Sequence, residues 1–311
     1  MFALKSRVGG LLFFTSLYRV RSYHTIENGV LLFLLTLIWG SSYILIKKGL
    51  LYFSPAELAA VRISFSAIAV IPFAFRAWRN TSVEKWPWVV LIGLSGSGIP
   101  AFLFAFSVGK LGSSVNGILN AMSPLFTLLV GVLLFRQSAG IRQIGGVILG
   151  LAGAVLLQIK AQPGGWVMDW RYILLPVGAT FCYGLSANIT RFKLADMKPL
   201  YATTLAMLAI GIPCWFYLFF SGLGGQILSH QANYTGLCYV GLLSLLGTVV
   251  AWSLFYRLVQ QSDALFAASV TYLIPGVALI WGYADGEMLT WSHWTGLLLI
   301  LGGVYFVSRK E

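Results

Sequence analysis

The chain predicts an all-α polytopic membrane protein, with ten transmembrane helices arranged as two inverted five-helix repeats. Three observations carry this. Of 311 residues, 58% are hydrophobic and 10% charged, against roughly 45–50% apolar and 25% charged in soluble domains. The apolar residues fall into ten long stretches separated by charged or Pro/Gly punctuation. Lys and Arg then alternate from one intervening segment to the next.

The ten stretches are 29–50, 55–75, 87–109, 112–135, 141–159, 171–190, 199–221, 234–256, 263–284 and 291–308. A bilayer-spanning helix takes about 20 residues, so runs of this length reach across lipid and are far too long for barrel strands. In hydrocarbon every backbone polar group must be satisfied within its own segment, which makes them helices. Ten such spans leave no room for a soluble catalytic domain.

Charge sets the sidedness. With the N-terminus in the cytoplasm, the inner segments hold Lys5, Arg7, Arg19, Arg21, Arg76, Arg79, Lys85, Arg136, Arg142, Arg191, Lys193, Lys198, Arg257, Arg309 and Lys310, fifteen in all. The outer segments hold Lys47, Lys48, Lys110, Lys160 and Arg171, only five. The positive-inside rule therefore places both termini inside. An odd number of spans would scramble this alternation. The net charge of +12 would suggest nucleic acid in a soluble protein, but no basic cluster with interleaved aromatics occurs here, so no nucleic-acid partner is expected.

Residues 1–27 form a cytoplasmic N-terminal tail, attached at the membrane interface or without fixed structure. Lys5 and Arg7 precede an apolar stretch from Val8 to Tyr18, which resembles a short secretory signal. A small-residue cleavage site is missing and Arg19 and Arg21 follow at once.

Landmarks recur in the same order in the two halves. Pro55 and Pro199 open the second and seventh spans at an offset of 144; Gly93 and Gly241 match at 148, Pro124 and Pro275 at 151, Gly146 and Gly296 at 150. The first repeat then covers 28–158 and the second 170–311, with an external linker at 159–169 containing the QPGG run. Five spans is an odd number, so the second copy lies upside down relative to the first, a common scaffold for alternating access.

The residues also carry a resemblance. The first span reads LIWGSSYILIKKGL and the second SPAELAAVRISFSAIAV; each half closes with a Pro-containing span, a hinge and a Gly-rich span (NAMSPLFTLLVGVLLFRQ then GGVILGLAGAVLL; TYLIPGVALIWGYADGE then TGLLLILGGVYF). This resembles the drug/metabolite transporter superfamily, of the EamA type, over about residues 28–309. The resemblance implies ten helices, a central cavity between the halves, and export or exchange of amino acids and other small metabolites. In that family a Gly-Glu pair follows the fourth span of each repeat. Here the second half has Gly286 and Glu287, whereas the first has Arg136 and Gln137.

Candidate substrate-binding residues follow from polarity at depth. Arg62 stands about eight residues into the second span, where an uncompensated guanidinium costs at least a few kcal/mol. It must face the interior, either as an anchor for a carboxylate substrate or as a structural group satisfied by helix-end carbonyls or Glu57. Asn116 and Asn120 share one helix face just ahead of Pro124. Tyr272 lies one turn ahead of Pro275, with Thr271 beside it. Each proline frees backbone carbonyls a turn earlier, so Pro124 and Pro275 are read as structural hinges. Trp39 and Tyr43, Tyr183 and Asn188, and Phe106, Trp252 and Tyr256 supply aromatic and amide surfaces deep in their spans. Lys47 and Lys48 end the first span and can snorkel to the outer interface. Gly146 with Gly150 and Gly302 with Gly303 are small-residue pairs for close packing, within one chain or across a homodimer face.

Other chemistries lack their residues. No phosphate-binding loop occurs, the three histidines and nine carboxylates sit at or outside span ends, and no nucleophile shares a depth with a base. Cys182, Cys214 and Cys238 show no ligand spacing, so no metal, cofactor or catalytic residue is expected. The function predicted is a secondary transporter of small organic metabolites, most simply amino-acid-like, in the bacterial inner membrane. A non-transporting scaffold or sensor, and a membrane-embedded enzyme, stay open as alternatives.

Overall fold

The computed structural model describes residues 3–137, 140–156, 161–162, 165–166, 170–223, 232–262, 264–288 and 290–308. Helix α1 spans Ala3–Gly49, so the expected boundary between tail and first span falls inside one helix, whose membrane-length part is Ile26–Gly49. After a turn, Ser54 starts α2 (Pro55–Arg79) with a full capping box: its hydroxyl accepts from the Glu57 N–H, and Glu57 Oε2 accepts from the Ser54 N–H at 2.9 Å. This satisfies donors that lipid could not.

A continuous apolar run from Val83 to Asn120 follows. It comprises a 3₁₀ turn, α3 (Trp86–Gly93), a π-helical segment (Leu94–Gly98) and α4 (Ile99–Asn120). Gly112, at φ 80° and ψ 174°, breaks α4; only glycine takes such a backbone without strain. The predicted fourth span is thus two pieces, Ser113–Asn120 and α5 (Ser123–Phe135), separated by the turn at Ala121 and Met122 just ahead of Pro124. Helix α6 is Ile141–Leu156. In the predicted linker, Ala161–Gln162 (β1) and Gly165–Trp166 (β2) pair antiparallel, a small exception to the all-helical expectation; the rest of 159–169 lies outside the described residues.

The second half has α7 (Trp170–Lys193), α8 (Pro199–Phe220), α9 (Ala232–Ser244), a second π segment (Leu245–Val250) and α10 (Ala251–Gln261). Its predicted ninth span is also broken. A short α11 (Ala264–Ala268) and a 3₁₀ turn (Ser269–Tyr272) lead to α12 (Ile274–Ala284), with Pro275 in its first turn. Helix α13 is Trp291–Ser308.

Among the described residues, seven segments are long and apolar enough to cross a membrane, and Ser123–Phe135, Ile141–Gly150 and His293–Gly303 are shorter apolar helices. At 1.5 Å per residue, the 13 residues of α5 reach only about 20 Å of a core about 30 Å thick.

Packing crosses the middle of the chain: α2 lies on α8, α7 on α4 and α5, α1 on α12, and α6 on α13. A Cβ on Gly303 would overlap the Gly146 carbonyl and the Gly150 backbone. The small-residue pairs are therefore used inside the chain. Outward faces are apolar, with Phe75 and Phe219 exposed. Several buried hydroxyls donate within their own helices, as Thr36 does to Leu32 O at 2.7 Å and Ser244 to Val240 O at 2.6 Å.

Candidate functional site

The π segment Leu245–Val250 sets the first feature of the site. A π turn shifts carbonyls off the regular i→i−4 ladder and leaves them to other donors. Here Gly247 O accepts from Trp39 Nε1 at 3.1 Å and from Arg62 Nη2 at 3.5 Å, while Arg62 Nε donates to Thr248 Oγ1 at 2.9 Å. Glu57 stays in its capping box. Arg62 is only 7% exposed, and among the described residues no carboxylate pairs with it. A cation held by dipoles alone in such surroundings retains most of its attraction for an anion.

Arg62 lines a cavity at the centre of the bundle, together with Trp39, Tyr43, Asn120, Tyr183 and Trp252. Six of the predicted binding residues thus line one cavity. Their rings form a connected cluster: Trp39 to Trp252 at 5.4 Å, Trp252 to Tyr183 at 5.6 Å, Tyr183 to Phe104 at 6.0 Å and Phe104 to Tyr43 at 5.4 Å between centroids. Asn120 and Thr127 bring polar groups from the α4–α5 break, and Thr271 brings one from the break before α12. The prolines do not line the cavity; they mark the breaks that turn these groups inward.

The other four lie elsewhere. Asn188 donates to Thr127 O and Gly184 O, each at 2.9 Å, and accepts from Gln137 Nε2 at 2.9 Å, so its amide ties α7 to α5. Asn116 donates to Gly112 O at 2.7 Å across the break in α4. Tyr256 is fully buried behind Trp252, its hydroxyl 3.5 Å from Ser186 Oγ. Tyr272 is half-buried beside the cluster of Ile118, Leu119 and Leu125. Phe104, Thr127 and Phe255 line the cavity without having been read from the sequence. Phe106 was read in place of Phe104 and is 45% exposed. A two-residue step turns a helix by about 200°, and the buried row of Ala101, Phe104, Ala105 and Val108 was the signal available.

The cavity is small, about 40 Å³, where one water needs roughly 10–15 Å³ on the same measure. That is room for a few waters. Its walls must separate before anything larger enters.

Charged residues gather at the two ends of the bundle. At one end, Lys47 Nζ lies 2.8 Å from both Asp285 and Glu287, and Lys48 pairs with Asp285. Glu287 also accepts from the Ser113 N–H (3.0 Å) and hydroxyl (2.6 Å) and from the Ser114 N–H (3.1 Å) and hydroxyl (2.5 Å). Burial pushes the Glu287 carboxyl up, but the bonds from Lys47, Ser113 and Ser114 outweigh it and hold the group at about 2. Hydrogen bonds from Lys47 and Lys48 likewise hold Asp285 below the usual carboxylate range. The two lysines, read as snorkelling, are paired. At the opposite end, Glu27 pairs with Arg257, Lys85 with Asp196, and Arg191 donates to Ser262 O at 3.0 Å. Every one of these contacts joins segments that the charge alternation places on the same side.

The EamA-like transporter family model matches residues 28–159 and again 170–309. The chain is 26% identical to the "Uncharacterized inner membrane transporter YedA" of Escherichia coli K12, over 89% of each chain. It is 26% identical to a "Probable amino-acid metabolite efflux pump" of Salmonella typhimurium, over 90% of this chain and 94% of that one. The "Uncharacterized transporter YvbV" of Bacillus subtilis is 27% identical over 92% of each. A crystal structure 18% identical to the chain superposes with a TM-score of 0.61, over 90% of this chain and 96% of its own, and shows a shared fold.

Proposed function

We propose, from the premise that this chain belongs to the EamA-like transporter family, that it is a secondary transporter exporting or exchanging small carboxylate-bearing metabolites, amino-acid-like in kind. The observation that carries this is Arg62: a buried guanidinium with dipolar partners only, on the wall of a central cavity ringed by aromatic side chains. The carboxylate of a substrate supplies the missing counter-charge, and the rings take its apolar part. A relative named as an amino-acid metabolite efflux pump supports the same class.

The layout that serves this function is ten membrane helices in two inverted repeats, with both termini in the cytoplasm of a bacterial cell and the 159–169 linker outside. Support comes from the two family matches and from mirrored contacts. A Cβ on Gly40 would lie 2.5 Å from Val277 Cβ on α12; 144 residues later, a Cβ on Gly184 would lie 2.7 Å from the backbone at Phe126 and Thr127 on α5. The two π segments centre on Gly96 and Gly247. In this reading the small cavity is a closed form, and rocking the halves opens it to each side in turn. Arg62 stays protonated at physiological pH and shuttles no proton, so transport runs as facilitated diffusion or exchange.

Purified protein in liposomes loaded with unlabelled amino acids should show saturable counterflow of labelled ones. Arg62→Gln should weaken carboxylate substrates by about thirtyfold or more, the loss expected when one partner of a buried charge pair is removed, while Arg62→Lys keeps part of the activity. No saturable movement of any small carboxylate, or equal loss for neutral and anionic substrates in Arg62→Gln, would sink this reading.

A further inference from the structure

We infer that Glu287 is a latch that closes one end of the central cavity, tying the loop after α12 to the broken start of the Ser113–Asn120 helix and to Lys47 on α1. The geometry is independent of the transport reading; the purpose of the latch rests on it.

One carboxylate here accepts from five donors on two elements. Both elements continue into the cavity wall. Ile46, next to Lys47, lines it, as does Asn120, at the far end of the helix that Ser113 begins. Holding Lys47 and Ser113 to one anion therefore holds those two walls together against α12. The fit is close: a Cβ on Gly282 would overlap Ser114 Oγ and lie 2.7 Å from Glu287 Oε2, and one on Gly112 would lie 3.3 Å from Oε1.

A helix cap alone does not call for this arrangement. The turn after α5 also reverses through a left-handed residue, Arg136, and is closed by the neutral Gln137 on the Asn188 amide, so the fold tolerates an uncharged group there. The five donors sit near the water-facing end, and the Glu287 side chain is 16% exposed. On release, water can take the place of the carboxylate at the serine N–H groups, which makes the latch reversible.

The test places one cysteine at a time in a background lacking Cys182, Cys214 and Cys238. Ser42→Cys reports on the wall towards Lys47, and Thr127→Cys on the wall towards Gln137; both residues line the cavity. Labelling by a membrane-impermeant thiol reagent is timed from each side of the membrane separately. Glu287→Gln should speed labelling at position 42 from one side by at least about tenfold, with no acceleration at position 127 from the other. Ser113→Ala with Ser114→Ala keeps the charge and should produce a smaller acceleration of the same kind; this pair decides the matter where Glu287→Gln does not fold. Unchanged labelling at position 42, or equal acceleration at both positions, would overturn the latch. Labelling needs no substrate, so a failure of the transport reading in liposomes would leave this result standing on its own.

Discussion

After α5 the chain reverses through Arg136, at φ 54°, and the N–H of Gln137 bonds back to Gly131 O at 3.0 Å. After α12 it reverses through Gly286, at φ 80°, and the N–H of Glu287 bonds back to Gly282 O at 2.9 Å. Both turns pass through a left-handed residue, although the first closing bond reaches back six residues and the second five. The side chains that follow differ: Gln137 reaches one amide, whereas Glu287 gathers two serines and a lysine. The partner helices differ in step, since Lys47 offers an ammonium to a carboxylate where Arg191, 144 residues later, offers a guanidinium to the Ser262 carbonyl. Neutral hydrogen bonds contribute about 1 kcal/mol each and those to charged groups about 1.5–3. Corresponding turns thus make a weak closure at one end and a strong one at the other.

The strongest way to break this comparison is acid. Glu287 has an ordinary value of 4.5 and is held at about 2, a separation that stabilises the folded state at neutral pH. A depressed carboxyl stabilises the fold above its unfolded value and loses that contribution as pH falls through the folded one. Thermal stability in detergent should therefore hold from pH 8 to about 5 and fall between about 4.5 and 2, with Glu287→Gln flattening that acid limb. An acid limb identical in the variant would show that the two ends do not differ as described.

The mirrored glycines sharpen it at the next level. Gly40→Ala meets the Cβ and Cγ1 of Val277, so Val277→Gly, which removes both, should restore part of the loss; Gly184→Ala meets backbone, so Thr127→Ala should restore none. Each single change should cost about 1–3 kcal/mol of stability by overpacking, read from denaturant or thermal unfolding. Rescue at both sites, or at neither, would remove the distinction.

The smallest effect is expected at the far end. Lys85 and Asp196 lie 2.5 Å apart, but the Asp196 side chain is 75% exposed. Lys85→Ala should change stability by less than about 1 kcal/mol, and less still in high salt. A loss comparable to that from Glu287→Gln would reverse the ranking of the two ends.

Much of this was legible because it is local. An arginine eight residues inside an apolar run can only face inward, and a proline after a polar patch marks a break; both readings need a window of a dozen residues. Depth is legible too, which is why Trp39, Tyr43, Tyr183 and Trp252 were found. Direction around a helix is harder: Phe106 lies at the depth of Phe104 but faces outward. Partners are not legible at all: Lys47 and Glu287 are 240 residues apart, and nothing near Asn188 says that its amide is spent on Thr127 and Gly184. The π segments LSGSG and LLGTVV share no sequence pattern that marks a π turn.

Those π segments have a consequence for how the chain tolerates changes of length. Each stores an extra residue within a helix, so the segments before and after it are out of phase with a regular α-helix by about 100°. Trp252 and Phe255 face the cavity because Leu245–Val250 holds that residue. Losing one residue there would leave the helix intact and every side chain chemically unchanged, yet turn a different face inward. In this stretch the register of the chain, as much as the identity of its residues, is what the site inherits.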